Sequence, residues 1–217
     1  MKEEVINGIK YRLNEENLTA EVIDFEKEGC EGDIIIPETV VFEKVSCRVT
    51  SIGDWAFSYC DSLSITIPES VTNIGEYAFF ACNSLKDIVL PESITSIGNS
   101  AFNGCDSLTS IIVPSGVTSI GGATFIDCDS LTSITIHDNI TSIGAHAFTD
   151  CICLTSIVIS NSITSIGKGA FCYCEKLNSI TFQGTIAQWK KIELGNGWND
   201  KVPAKVVHCI DGNIEIE

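Results

Sequence analysis

Cysteines are the first residues of this chain whose type could support chemistry, because thiolates bind metals, form disulfides and act as nucleophiles. Six of the 11 cysteines recur at intervals of 22 and then 23 residues. They are Cys60, Cys82, Cys105, Cys128, Cys151 and Cys174. In stacked coils such residues would lie about 5 Å apart, with side chains that point the same way rather than towards each other. The spacing therefore predicts buried, unpaired thiols in a stacked core, which fits a reducing compartment.

Histidines and closely spaced cysteine pairs offer no second source of chemistry. His137, His146 and His208 are isolated in the sequence, and we expect the first two to be exposed polar residues. The tight cysteine pairs are Cys151 with Cys153 and Cys172 with Cys174. Each pair contains one recurring cysteine, so the extra thiols should diverge. Without a nucleophile beside a base, a zinc ligand set or a glycine-rich phosphate loop, the sequence predicts no catalytic residues, no metal site and no cofactor.

Aspartates directly after the recurring cysteines form a broken column of carboxylates. Its members are Asp61, Asp106 and Asp129, and Asn83, Ile152 and Glu175 interrupt it. Carboxylates at strand spacing could hold a calcium ion, which prefers oxygen ligands. The alternative is that each short side chain caps its own turn by accepting from nearby backbone N–H groups. We favour turn capping because the column is interrupted, and the calcium site stays open as the alternative.

The elements that position these residues are copies of one sequence unit. Glycine and phenylalanine recur with the cysteines, as in Gly98, Phe102 and Cys105, followed by Gly121, Phe125 and Cys128. A fixed period of about 23 residues is typical of a solenoid. The glycine row predicts a turn position that needs either φ above zero or close backbone approach. Each Ala-Phe-x-x-Cys segment is too short for an ordinary helix, so we expect one turn of 3₁₀ or α-helix there.

Each unit also contains a strand and an opposite wall. The predicted strands are centred on segments such as Ile88–Leu90 and Ile111–Val113, and the opposite wall on segments such as Val117–Gly121, whose Val and Ile should insert into the core. Stacking would join the strands into one continuous parallel sheet whose outward side chains form a broad face. We predict this face as the protein-binding surface. Its residues are Ser64, Thr66, Asp87, Val89, Ser110, Ile112, Ser133, Thr135, Ser156, Val158, Ser179 and Thr181.

Off-period segments flank the repeats. Residues 1–50 alternate apolar and polar side chains over Ile9–Leu13 and Leu18–Ile23, which predicts a β-hairpin, and Asp33–Pro37 resembles a degenerate first repeat. Residues 51–184 hold six repeats. Residues 185–217 contain a short helical pattern with Ile186, Trp189 and Ile192 on one face. We expect the two flanking segments to cap the open ends of the solenoid.

Charge excludes two classes of partner. The net charge of −16 repels nucleic acid and anionic membrane surfaces. No run approaches the roughly 20 apolar residues that a membrane span needs. We therefore expect no nucleic acid partner and no membrane insertion. We also expect a monomer that binds a protein partner.

The spelled-out repeat resembles a known family. Leu-x-x-Ile-x-Ile is similar to the strand half of a leucine-rich repeat, and the continuation Pro-x-Ser-Val-Thr-Ser-Ile-Gly-x-x-Ala-Phe-x-x-Cys resembles the BspA-like, or Treponema-type, repeats over about residues 30–184. The resemblance implies a leucine-rich-repeat-like right-handed coil, with one parallel β-sheet face and short 3₁₀ or turn segments on the other. It also implies adhesion or protein–protein binding without catalysis.

The sequence leaves two alternatives open for the location and for the role of the protein. The start of the chain, residues 1–18, has acidic residues and no apolar segment, so as the chain stands we expect no secretory signal and a cytoplasmic location. The family resemblance implies secretion or a cell-surface location instead. The corresponding functions are an adhesion or interaction module that presents the sheet face, and an intracellular structural scaffold of unknown partner.

Overall fold

The computed structural model describes residues 2–25, 31–60 and 62–216. It begins with three antiparallel strands, β1 (Lys2–Ile6), β2 (Ile9–Asn14) and β3 (Thr19–Phe25). The predicted hairpin is confirmed, because β2 pairs with β3 in antiparallel fashion. The alternating apolar side chains, such as Tyr11 and Val22, are buried. The strand β1 was not predicted, because Glu3 and Glu4 interrupt its apolar pattern.

The remaining elements follow the chain around successive coils. They are β4 (Glu31–Ile35), β5 (Thr39–Phe42), β6 (Val45–Ile52), β7 (Ser62–Thr66), β8 (Asn73–Ile74), β9 (Ser96–Ile97), β10 (Ser110–Ile112), β11 (Ser119–Ile120), β12 (Ser133–Thr135), β13 (Ser142–Ile143), β14 (Ser156–Ile159), β15 (Ser165–Ile166), β16 (Ser179–Phe182), α1 (Ile186–Trp189), β17 (Glu193–Leu194), β18 (Val206–Cys209) and β19 (Gly212–Glu215). Parallel pairing between strands of neighbouring coils makes the molecule a solenoid, as predicted.

The outward side of the longer strands, with residues 86–90 between them, is called the front face below. Strands β4 and β7, β10 and β12, and β14, β16 and β18 pair in parallel along it, with Ser110 opposite Ser133 and Ser156 opposite Ser179. The predicted continuous sheet is wrong, because these strands form three separate sheets and residues 86–90 form no strand.

The opposite wall carries a second ladder that the sequence did not reveal. Its two-residue Ser-Ile strands pair from coil to coil, for example Ser119 with Ser142 and Ile120 with Ile143. We call this wall the back ladder. Val117 and Ile120 are buried, which confirms that the Val and Ile of this segment insert into the core.

The Gly-to-Cys segments form a third side, called the turn wall. It contains turns, which the family resemblance implied, and not the single turns of 3₁₀ or α-helix expected from segment length. Backbone N–H groups bond alternately within a coil and to the next coil: Ser58 donates to Trp55 O at 3.1 Å, whereas Phe57 donates to Ala78 O at 2.8 Å. A helix would direct every N–H along its own axis, so bonding between coils excludes it. The alternation is accompanied by left-handed backbone two residues after each glycine and one residue before each cysteine. These positions are Trp55, Tyr59, Tyr77, Ala81, Ser100, Gly104, Ala123, Asp127, His146, Asp150, Gly169 and Tyr173.

Close approach of neighbouring coils explains the glycine row. A Cβ on Gly75 would lie 2.5 Å from Asp54 Oδ1 and 2.6 Å from Asp54 N, and one on Gly144 would lie 2.6 Å from the carbonyl carbon of Gly121. Neither Gly75 nor Gly144 has positive φ. Of the two interpretations offered by the sequence, close backbone approach is therefore the correct one.

Phenylalanines form the centre of the core. The rings of Phe57, Phe79, Phe102, Phe125, Phe148 and Phe171 stack in one column, with neighbouring centroids 5.2–5.6 Å apart. Phe25 packs against one end of the column and Trp198 against the other. Each stacked pair adds about 0.5–1.5 kcal/mol beyond the burial of its apolar area.

The C-terminal segment covers the last coil with large apolar side chains. Thr185 caps the short helix α1, and its hydroxyl accepts from Gln188 N. Trp189 and Trp198 are buried, and their ring centroids lie 5.8 Å apart. The helix ends at Trp189, so Ile192 of the predicted helical face lies beyond it, although Ile192 is also buried. The division of the chain into residues 1–50, 51–184 and 185–217 stays a prediction.

Candidate functional site

The front face exposes most of the residues that the sequence assigned to it. All twelve are exposed except Ser179 and Thr181, which are half-buried. The most exposed apolar members are Val89 at 80% and Ile112 at 61%. Along the same row, Ile35 lies opposite Thr66 and is also exposed. The structure therefore brings the predicted residues onto one surface, with its apolar side chains concentrated towards the N-terminal coils.

A shallow depression of about 470 Å³ lies where the front-face ladder is interrupted. Its lining comprises Glu69, residues 87–92 and residues 110–112. The carboxylate of Glu92 accepts from Ser115 N at 3.1 Å and from Ser115 Oγ at 2.8 Å, and these two bonds lower the pKa of Glu92. The depression thus combines the exposed apolar side chains of Val89 and Ile112 with an acidic border.

Two members of the aspartate column, Asp106 and Asp129, can be compared with the turn capping expected for them. Asp61 lies outside the described residues. Within the described part of the chain, the carboxylates of Asp106 and Asp129 accept no hydrogen bond, so the expected turn capping is wrong for these two residues. Burial, followed by repulsion from Asp127, raises the pKa of Asp129; burial, then repulsion from Asp129 and Asp127, raises that of Asp106. No group of three or more metal-binding side chains occurs among the described residues.

The recurring cysteines act as buried hydrogen-bond donors. Each of the five from Cys82 to Cys174 donates its thiol to the carbonyl of a phenylalanine in the preceding coil, at 3.0–3.3 Å. Burial raises the pKa of the Cys105, Cys128, Cys151 and Cys174 thiols, to about 12 for Cys174. Buried, protonated thiols are poor nucleophiles and poor metal ligands.

Cys60 corrects the prediction of unpaired thiols throughout the ladder, because it is disulfide-bonded. It is the first member of the ladder. The free cysteines include Cys105, Cys128, Cys151 and Cys174. The argument for a reducing compartment from a uniformly unpaired ladder therefore does not hold.

The histidines lie apart from one another on different elements. His137 and His146 are half-buried rather than exposed as predicted, because neighbouring coils pack against them. His146 Nδ1 lies 3.2 Å from Thr149 Oγ1, and His208 Nδ1 lies 2.9 Å from Asn213 Oδ1. The rings of His146 and His208 thus each contact a neighbouring polar side chain, whereas His137 Nε2 is buried and has no hydrogen-bond partner among the described residues.

The sequence analysis missed an aromatic cluster on the turn wall of the first two repeats. The rings of Trp55 and Tyr77 stack at 4.2 Å with an interplanar angle of 8°. Phe80 makes edge contacts with Trp55, Tyr77 and Tyr59 at centroid distances of 5.6, 5.7 and 5.3 Å. We call these four residues the aromatic cluster. The sequence did contain a sign of this cluster, because Trp55 and Tyr77 both lie two residues after a repeat glycine and so occupy the same position of successive repeats.

Comparison with known proteins identifies the family. The family model described as "BspA type Leucine rich repeat region (6 copies)" matches residues 38–152 and 141–193. The chain belongs to this family. The family match, together with the cell-surface protein described next, supports a repeat module of the protein-interaction or adhesion type.

Solved structures of leucine-rich repeat proteins share the fold. A leucine rich cell surface protein from Faecalibacterium prausnitzii A2-165 is 30% identical with a TM-score of 0.64, and the match covers 84% of this chain but 55% of that protein. The leucine rich repeat protein of T. pallidum is 25% identical with a TM-score of 0.80, over 93% of this chain and 90% of the other. The pneumococcal vaccine antigen PcpA, at 19% identity and a TM-score of 0.63, supports the fold alone.

Two further findings are negative. No curated protein matches the chain. Among the described residues, no helix has the length and apolar character that crossing a membrane requires.

Proposed function

We propose that this chain is a non-catalytic interaction or adhesion module that presents its front face to a protein partner. The single observation that carries the proposal is the exposure of Val89 and Ile112 beside the depression. Side chains of this kind are stabilised by burial, at about 25 cal/mol per Å² of apolar surface removed from water. Residues 1–50 and 185–217 act as caps, and the module binds its partner as a monomer.

One argument for the competing function, an intracellular scaffold, was a ladder of unpaired thiols. The disulfide at Cys60 removes that support. The similar protein from F. prausnitzii is described as a cell surface protein, which agrees with an adhesion role. We therefore keep adhesion or surface interaction as the function.

Photo-cross-linking tests the front face. Benzoylphenylalanine at position 112 is expected to capture a protein from the native extract, and Val89→Asp in the same chain is expected to abolish the capture because it places a charge in the contact. The matched control is benzoylphenylalanine at Thr118, which is exposed beside the back ladder. Equal capture from both positions, or capture that Val89→Asp leaves unchanged, would contradict the proposal.

A further inference from the structure

The rings of the aromatic cluster are exposed or half-buried and do not belong to the core. Trp55 is 47% exposed and Tyr59 is 65% exposed, whereas the core phenylalanines next to them in sequence are fully buried. Phe80 is half-buried between Tyr59 on one side and the Trp55–Tyr77 stack on the other. The four rings therefore form a continuous surface with Phe80 at its centre.

The coil itself does not require aromatic side chains at these positions. Trp55 and Tyr77 occupy the left-handed position after the repeat glycine, and the later repeats place Ser100, Ala123, His146 and Gly169 there, none of them as large as Trp or Tyr. Left-handed backbone is sterically unfavourable for a residue with a Cβ, and glycine avoids this cost. The exposed ring of Trp55 and the half-buried ring of Tyr77 therefore favour neither the backbone nor the core, so a binding role explains them better than a folding role.

Carboxylates border the cluster, and cations are scarce around it. Asp54 precedes Trp55 and Glu76 precedes Tyr77, both are exposed, and Asp54 Oδ1 accepts from Glu76 N at 2.7 Å. No Lys or Arg occurs in the sequence between Arg48 and Lys86.

Nearby cations on the N-terminal strands already contact other carboxylates. Lys10 Nζ lies 3.1 Å from Glu3, and Arg12 lies 3.0–3.1 Å from Glu21 and Glu3. The rings thus face solvent beside a surface of negative charge.

We propose that the aromatic cluster and its two carboxylates bind an arginine- or lysine-bearing segment of a protein partner. A cation over an aromatic ring is attracted by the negative charge of the ring face, and Asp54 and Glu76 add charge complementarity. The chain already contains one such contact, since Lys2 Nζ lies 3.8 Å from the centroid of the Phe42 ring. This surface lies on the turn wall, so the proposal does not depend on the front face.

Tryptophan side-chain NMR of the full chain tests the proposal directly. Trp55 is exposed, whereas Trp189 and Trp198 are buried, so the two buried indoles report whether the fold is intact. Titration with an acetylated, amidated diarginine peptide is expected to shift the Trp55 indole signal and to leave the other two unchanged. The neutral dicitrulline peptide is expected to bind at least about fivefold more weakly, because it loses the cation–π and carboxylate contacts.

Matched variants locate the site. Tyr59→Gly with Tyr77→Ser is expected to weaken diarginine binding at least about fivefold, with Trp55 kept as the reporter. Tyr173→Gly is the control, because Tyr173 has the same left-handed register as Tyr59 and similar exposure, at 46%, but lies in the last repeat. Glu76→Gln is expected to weaken binding as well. Ile112→Asp on the front face is expected to leave it unchanged, so the two surfaces can fail separately.

Four results would overturn the proposal. One is equal binding of the arginine and citrulline peptides, and another is unchanged binding by the Tyr59→Gly and Tyr77→Ser variant. The third is a Trp55 signal that responds to neutral cellohexaose but not to diarginine, which would indicate a carbohydrate site. Absence of any Trp55 response to diarginine would overturn it equally.

Discussion

The front face and the turn wall are built on the same core but carry different chemistry. The front face repeats small Ser and Thr side chains over all coils, with Ile35, Val89 and Ile112 as its most exposed apolar members. The turn wall carries the aromatic cluster in its first two repeats and mainly small or polar residues afterwards. Outward positions of a solenoid are thus free to vary while the inward rows stay fixed, and function follows from local surface composition.

The largest expected effect separates core rings from displayed rings. Phe102→Ala removes a fully buried ring from the centre of the stack and is expected to lower the free energy of unfolding by about 3–5 kcal/mol. Trp55→Ser is expected to cost less than about 1.5 kcal/mol, since Ser100 occupies the equivalent position. Urea unfolding of both variants measures the difference. Similar losses would show that the aromatic cluster belongs to the core.

Close contact between coils gives the next effect. Gly98→Ala would place a Cβ 2.5 Å from Glu76 N and is expected to destabilise the chain by about 1–3 kcal/mol, because the backbones must separate. Gly122→Ala is the control, since its nearest atom, Ala145 O, would lie at 3.4 Å. Equal melting temperatures for the two variants would contradict the close-approach explanation of the glycine row.

Substitution to glycine at a left-handed position of the turn wall should raise the free energy of unfolding, whereas the Gly98→Ala substitution should lower it. Ala123→Gly is expected to raise the free energy of unfolding by up to about 1 kcal/mol, because Ala123 has a φ of 54° that glycine adopts without steric cost. Ala101→Gly, at a buried position without positive φ, is expected to lower it by roughly 0.5–1 kcal/mol. Chemical denaturation of this pair tests whether the turn wall pays a conformational cost that the rest of the coil avoids.

The smallest effect concerns the aspartates beside the recurring cysteines. Burial raises the pKa of Asp129, so its carboxylate destabilises the fold once the pH rises through the folded-state pKa. Asp129→Asn is therefore expected to be more stable than the parent chain at pH 7. Below the unfolded-state pKa of about 3.9 the difference should vanish. Thermal unfolding against pH measures it, and a difference that persists at low pH would point to another cause.

Periodicity predicted the inside of the molecule better than its backbone. The recurrence of Phe102 and Cys105 indicated a stacked core, and both residues are buried there. The pattern could not reveal that Ser119–Ile120 forms a strand, because a two-residue strand exists only through its neighbours. The pattern also could not reveal the hydrogen bonds between coils on the turn wall, where helical turns were expected.

The candidate sites were predicted in part for the same reason. Alternation placed Val89 and Ile112 outward, and both are exposed. The aromatic cluster was missed because Trp55 and Tyr59 were assigned to no repeating row, and their left-handed backbone has no signature in residue type. Cys60 deviates because it is the first member of a ladder, where the repeat no longer supplies its neighbour.

Hydrogen exchange on the full chain, with and without the partner captured from position 112, tests most directly whether the front face is the contact. We predict slower exchange on binding in residues 86–92 and 108–113, which border the depression, and no change in residues 117–122 of the back ladder. Protection confined to the back ladder, or none near the depression, would contradict the proposed front-face contact.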